Sequence, residues 1–131
     1  MTQNFLSFCE LKKIVTKTRT LFENLQVDRQ LLQSLYHEYN PAVENLNLFV
    51  EKAEELFPYL NCGLATVYLR KILKTGKIIN GKYEDNKHTF LLLESPMFII
   101  DITADQYGGP SIYIGPVQAP WTLNFQKRGQ A

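Results

Sequence analysis

Three residues between positions 62 and 101 can act together as a nucleophile and its activating partners: Cys62, His88 and Asp101. A cysteine at the start of a helix is favoured as a thiolate, because the helix dipole and free backbone amides stabilise negative charge there. A nearby imidazole can take the thiol proton, and a carboxylate can orient that imidazole. These residue types predict attack of a thiolate on a carbonyl carbon.

The two strands predicted over residues 88–94 and 97–103 bring two of these side chains together. If Glu94 and Met97 flank a turn at Ser95-Pro96, the strands pair antiparallel with Phe90 opposite Asp101. His88 and Asp101 then become diagonal neighbours on one face, within reach of each other. A bulge that shifts the register by two residues would place them directly opposite each other. Both faces of the pair are largely apolar, which is typical of central strands covered on both sides.

Each of the three residues has a common structural explanation when it is taken alone. A lone cysteine is often a small buried hydrophobe, a histidine on a strand is often structural, and Asp101 can simply end its strand. However, Asp101 follows Met-Phe-Ile-Ile inside an apolar strand, where an unpaired carboxylate is costly. It needs a partner, and His88 is the nearest candidate. Together the residues favour the functional interpretation.

Cys62 must lie at the start of a helix for this chemistry, and the pattern around it predicts one. Asn61-Cys62 opens a helical apolar pattern, and Gly76 is expected to supply the left-handed residue that ends it. Beyond this point the periodicity changes to that of strands. Asn80-Gly81 predicts a tight hairpin turn, and residues 111–115 predict a further short strand.

Three helices are predicted before residue 60. Ser7 and Glu10 form a capping box for the first, and Asp28 is a plausible N-cap for the second. Asn40-Pro41 is expected to start the third, with Asn as the cap and Pro at the first helical position.

Helices followed by an antiparallel sheet predict an α+β fold. The length fits a single domain, residues 1–131. We divide it into a helical part (1–60), the part that carries Cys62, His88 and Asp101 (61–115) and a tail (116–131). The last residues, 126–131, are expected to fray.

Three segments resemble the Cys–His–Asp core of the papain-like and transglutaminase-like superfamily of thiol enzymes. They are Asn61-Cys62-Gly63-Leu64-Ala65, the run from His88 to Glu94, and the run from Ile99 to Gly108. The resemblance covers about residues 58–115. It implies a papain-like or transglutaminase-like core with Cys62 as nucleophile, His88 as general base and acid, and Asp101 as the orienting residue. It also implies a thioester intermediate, as in peptidases, amidases, glutamine deamidases and acyltransferases.

Three further residues are candidates for binding a protein or peptide substrate: Asn61, Gln106 and Trp121. Gln106 can line the site, or belong only to the turn that leads into Tyr107-Gly108. Trp121 can wall a cleft, although a lone tryptophan in a small domain is more often part of the core. Both alternatives stay open at the level of the sequence.

Composition excludes several other classes of protein. Fourteen basic and thirteen acidic residues give a net charge of +1, which provides no general attraction to nucleic acid. No apolar run reaches the roughly 18–20 residues that a membrane helix needs, and the N-terminal residues lack the pattern of a secretory signal. The sequence therefore predicts a cytoplasmic protein, with delivery as an effector or toxin left open.

The two cysteines and two histidines show no metal-ligand spacing, and we expect neither a metal nor a cofactor. Two alternatives to an enzyme remain. One is a non-catalytic binding or adaptor module on the same fold, in which the three residues form a structural hydrogen-bonded set. The other is a helical interaction domain whose first three helices dock a partner.

Overall fold

Four helices precede the sheet in the structure, a computed structural model that describes residues 7–94 and 96–123. The helices are α1 (Phe8–Glu23), α2 (Arg29–Tyr39), α3 (Leu46–Leu56) and α4 (Cys62–Leu73). The strands are β1 (Lys77–Tyr83), β2 (Asn86–Leu93), β3 (Phe98–Asp101), β4 (Tyr113–Pro116) and β5 (Trp121–Thr122), with a 3-10 helix over Ala104–Tyr107. The chain is therefore α+β, as predicted. The expected fraying of 126–131 falls outside the described residues.

The five strands form one antiparallel sheet in the order β4-β3-β2-β1-β5. The predicted pairing of β2 with β3 is confirmed, including its register: Leu91 lies opposite Ile100, and Leu92 opposite Ile99. The strand expected over 111–115 is β4, and it pairs with β3. β2 thus lies at the centre of the sheet, between β3 and β1.

Apolar side chains cover both faces of β2 and β3, as their sequence predicted. Leu91 and Ile100 belong to a core shared with the helices, α4 above all. Phe90, Leu92 and Ile99 belong to a second core on the other face, which is closed by Trp121 among others. α4 is buried along most of its length because it packs directly on β2.

Side-chain caps fix the beginnings of the first three helices. The capping box of Ser7 and Glu10 and the Asp28 cap are confirmed. The predicted start of the third helix at Asn40-Pro41 is wrong. Asn40 ends α2, and its side chain accepts a hydrogen bond from the Ala42 N–H in a local turn. Asn45 is the cap of α3 and accepts from the Leu48 N–H at 3.1 Å.

The hairpin predicted at Asn80-Gly81 is also wrong, because β1 continues through both residues to Tyr83. A Cβ on Gly81 would collide with the carbonyl oxygen of Thr122, so this glycine lets β5 approach closely. The turn comes later, where Glu84 adopts a φ of 56°. No helix among the described residues has both the length and the apolar character needed to cross a membrane.

The left-handed residue that ends α4 is Lys74, with a φ of 62°, and not Gly76 as predicted. The backbone N–H of Lys74 donates to the Arg70 carbonyl at 2.8 Å. Gly76 has a φ of 108° and lies two residues further along the chain, where the chain turns into β1 against Leu91.

Candidate active site

β3 ends close to the point on β2 that the start of α4 contacts. The ladder between β2 and β3 stops at Leu91 and Ile100, and after Asp101 the chain turns away toward the 3-10 helix. α4 meets β2 at Thr89 instead. The Thr66 hydroxyl lies 3.3 Å from the Thr89 carbonyl oxygen, and the Thr89 backbone lies close enough to Cys62 to lower the pKa of its thiol. The first residue of α4 is thereby placed next to the residue that follows His88.

The His88 imidazole and the Asp101 carboxylate form a buried pair. Nε2 of His88 lies 2.7 Å from Oδ2 of Asp101, and both residues are 2% exposed. Oδ2 also accepts from Nε1 of Trp121 at 2.7 Å, and Oδ1 accepts from the Thr103 N–H at 2.9 Å. Three N–H groups therefore donate hydrogen bonds to the buried carboxylate. They replace the water that it would bind at the surface, and so compensate for the cost of burying its charge.

Cys62 lies close enough to the His88 ring for each group to shift the pKa of the other. Nδ1 is buried and forms no hydrogen bond of regular geometry within the described residues. Burial acts to raise the pKa of the Cys62 thiol, but interactions with His88 and the Thr89 backbone outweigh it and lower that pKa. Burial likewise acts to lower the pKa of His88, while Asp101 and then Cys62 raise it from 6.5 to about 9. Both shifts favour a thiolate–imidazolium pair.

Aromatic rings surround the imidazole, a feature that the sequence did not reveal. Tyr107 packs edge-on with ring centroids 5.4 Å apart, Tyr83 at 6.3 Å, and Phe90 lies tilted at 6.0 Å. Tyr107 also donates to the Lys87 carbonyl at 3.1 Å. These rings fix the orientation of His88 and keep water away from it. No local pattern marks them, because the long-range packing of the sheet brings them together.

The side chain of Asn61 does not cap the start of α4. Unlike the caps of the first three helices, it makes no side-chain bond to the first turn. Its Nδ2 donates instead to the carbonyls of Ala53 at 2.7 Å and Tyr59 at 2.8 Å. The residue is 2% exposed, and its amide holds the connection between α3 and α4. The substrate contact expected for Asn61 stays a prediction.

Gln106 and Trp121, the other two candidate substrate-binding residues, occupy different environments. Gln106 is half-buried in the 3-10 helix, and its Nε2 is buried without a hydrogen-bond partner among the described residues. Trp121 is 5% exposed and stacks on Tyr113 at a centroid distance of 4.0 Å. Its indole N–H is committed to Asp101. Trp121 therefore contributes to the support of the carboxylate, a role that the sequence did not predict.

Other chemistry-bearing residues lie apart from this site. Cys9 is exposed on α1 and is not joined to Cys62. Within residues 7–94 and 96–123, no group of three or more His, Cys, Asp or Glu side chains is arranged to hold a metal ion.

No protein-family model, curated protein or solved structure matches this chain. The chemistry of this protein is therefore inferred from the geometry of Cys62, His88 and Asp101.

Proposed function

We propose that the protein is a thiol enzyme with a papain-like or transglutaminase-like core that acts on amide or acyl carbonyls. Cys62 is the nucleophile, His88 the general base and acid, and Asp101 the orienting carboxylate. The observation that carries this proposal is the order of contacts: Asp101 holds Nε2 of His88 at 2.7 Å, which leaves Nδ1 for the thiol. A carboxylate, an imidazole and a nucleophile in this order are the parts needed for nucleophilic acyl transfer.

In the first half of the reaction, the Cys62 thiolate attacks the carbonyl carbon and the π electrons move to oxygen. The uncapped N–H groups at the start of α4 are suited to stabilise that oxyanion. As the tetrahedral intermediate collapses, the bond to the leaving amine breaks and the His88 imidazolium gives it a proton. The products are a thioester on Cys62 and a free amine.

In the second half, His88 takes a proton from an incoming nucleophile. Water then yields a carboxylic acid and the free thiol, which is hydrolysis or glutamine deamidation. An amine yields a new amide, which is acyl transfer. Asp101 orients the His88 ring in both halves of the reaction and stabilises the imidazolium.

The surface around Cys62 supports a protein or peptide substrate. An apolar groove lined by Phe22, Val50 and Leu64, among others, lies between α1, α3 and the start of α4, and Cys62 does not line it. Leu64 is two residues from Cys62, which is about 200° around a helix, so the Leu64 side of the groove faces away from the thiol, although Asn61, the residue before Cys62, also lines the groove. Because Cys62 is only half-buried, a projecting amide of a protein or peptide suits it.

The test is labelling of Cys62 as a function of pH, in a Cys9→Ala background that removes the other thiol. Iodoacetamide should react with Cys62 well below the ordinary thiol pKa of about 8.5, because the thiolate persists there. His88→Ala should abolish this reactivity, since burial then disfavours the thiolate. Acyl-mimic probes, peptide amides, glutamine side chains and acyl esters then report acyl transfer, with Cys62→Ala as the inactive control.

Two results would contradict the proposal. Activity that survives Cys62→Ala would exclude Cys62 as nucleophile. A Cys62 thiol that titrates at the ordinary value and reacts with no acyl probe would favour the binding or adaptor module.

A further inference from the structure

Arg19 links the first helix to the segment that follows the site carboxylate. Its Nη1 donates to the Ile102 carbonyl at 2.7 Å and to Oδ1 of Asp105 at 2.8 Å, and its Nη2 donates to Oδ2 of Asp105 at 2.9 Å. Nε pairs with Glu23 at 2.8 Å. The guanidinium also lies over the Phe57 ring, 4.6 Å from its centroid. The forked geometry of arginine is what allows all these contacts at once.

The burial of Arg19 indicates that these contacts matter. The residue is only 8% exposed, and a buried cation is costly unless its donors are satisfied. Its partners come from α1 itself and from the segment between β3 and β4, with Phe57 at the end of α3. Most of its hydrogen bonds therefore hold one loop against the helices.

That loop carries the groups that orient the site. Ile102 and Thr103 share a peptide bond, and the Thr103 N–H donates to Oδ1 of Asp101. Fixing the Ile102 carbonyl therefore fixes the plane of the peptide group that holds the carboxylate. Asp105 lies in the 3-10 helix two residues before Tyr107, whose ring packs edge-on against His88. Arg19 holds both parts of the loop.

We propose that Arg19 is a positioning residue of the site: by holding Ile102 and Asp105, it sets the orientation of Asp101 and Tyr107 around His88. This inference rests on the proposed function. It gives α1, which the resemblance to thiol enzymes does not cover, an indirect part in the chemistry through the position of Asp101 and Tyr107.

The experiment compares the pH profile of Cys62 alkylation in Arg19→Gln, Arg19→Lys and Asp105→Asn, all in the Cys9→Ala background. Arg19→Gln should move the midpoint of the profile up by about one pH unit, which is tenfold less thiolate on the acid side. A loosened Asp101 stabilises the imidazolium less, and the imidazolium then stabilises the thiolate less. In Arg19→Lys the midpoint should return part of the way to that of the parent protein, because lysine keeps the positive charge but lacks the forked donors of arginine.

Two control variants separate positioning from general stability. Arg29→Gln removes an arginine–carboxylate pair of similar form, with Glu54, between α2 and α3. Val50→Ala lowers stability by opening a cavity in the fully buried part of α3. Neither variant should move the alkylation midpoint, although Val50→Ala should lower Tm.

Each outcome is decisive. If the midpoint of the parent protein is low and stays low in every Arg19 and Asp105 variant, the inference fails while the proposed function stands. If the parent midpoint lies at the ordinary thiol value, the proposed function itself fails. If Arg19→Gln does not fold, Asp105→Asn carries the test, because it keeps the size of the side chain and weakens the same ion pair.

Discussion

At the scale of single residues, the Asp101 carboxylate depends on donors from three different parts of the chain. His88 comes from β2, Thr103 from the loop after β3, and Trp121 from β5. The His88 and Trp121 bonds meet at the same oxygen atom, each at 2.7 Å. Removing the indole therefore leaves the His88 contact in place but takes one donor from a buried charge.

Trp121→Phe should lower the free energy of unfolding by about 2–3 kcal/mol, since it removes a hydrogen bond to a charged group and some buried volume. Cys62 alkylation should remain far faster than in His88→Ala, because Nε2 of His88 keeps its carboxylate. Urea denaturation and iodoacetamide labelling measure the two effects.

Tyr113→Phe is the matched control, because it changes the ring stacked on Trp121 but removes only the hydroxyl bonded to the Pro116 carbonyl. Its effect on stability should be smaller. Unchanged stability in Trp121→Phe together with a raised KM would instead make Trp121 a wall of the substrate cleft.

The sequence predicted the contact between His88 and Asp101 but did not predict that Trp121 also binds the Asp101 carboxylate. The reason is physical. The register of β2 and β3 follows from a short local turn and from apolar residues on both faces. Trp121 reaches Asp101 only because β5 pairs with β1, where Trp121 lies opposite Tyr83. That pairing joins residues distant in sequence and leaves no periodic pattern in a strand of two residues.

At the scale of elements, α4 ends at a residue with a strained backbone conformation, which a glycine would relieve. Lys74 adopts a φ of 62° with its side chain exposed, a conformation that costs an ordinary residue about 1–2 kcal/mol. Lys74→Gly should therefore raise the free energy of unfolding by about 0.5–1 kcal/mol after the greater flexibility of glycine in the unfolded chain is counted.

Gly76→Ala is the companion variant and should act in the opposite direction. Its φ is 108°, and a Cβ there would lie 2.9 Å from Cγ of Leu91 in the core. Thermal denaturation of both variants tests the pair. A loss of stability in Lys74→Gly would show that the lysine side chain makes a contribution larger than the strain.

The errors in predicting elements share one cause: the same residue types serve two purposes. Asn40 and Asn45 both accept a hydrogen bond from a following backbone N–H, but Asn40 does so in a turn and Asn45 in a helix cap. Gly81 suits a hairpin turn locally, but the close approach of Thr122 requires glycine in the strand. Such choices depend on neighbours that are remote in sequence.

At the scale of the whole molecule, ionisation of the site is coupled to folding. The folded state raises the pKa of His88 from 6.5 to about 9. The interactions of protonated His88 therefore add to the free energy of unfolding. This contribution is complete below pH 6.5 and is lost as the pH rises through about 9. The pKa of Cys62 is lowered, so its contribution to the free energy of unfolding is complete above the ordinary thiol value and is lost as the pH falls through the lowered value.

The two contributions therefore have opposite slopes where both groups titrate, and the parent protein should show only a shallow dependence on pH from this pair. Cys62→Ala removes one slope and leaves the other, because Asp101 still raises the pKa of His88. Its free energy of unfolding should fall more steeply than that of the parent between pH 6.5 and about 9. Urea denaturation across this range measures both slopes, and the other titrating groups cancel in the difference.

Cys62→Ser keeps the size of the side chain without its acidity and should behave like Cys62→Ala. Equal slopes in all three proteins would mean that the thiol and the imidazole are not coupled, which would remove the physical basis of the nucleophile.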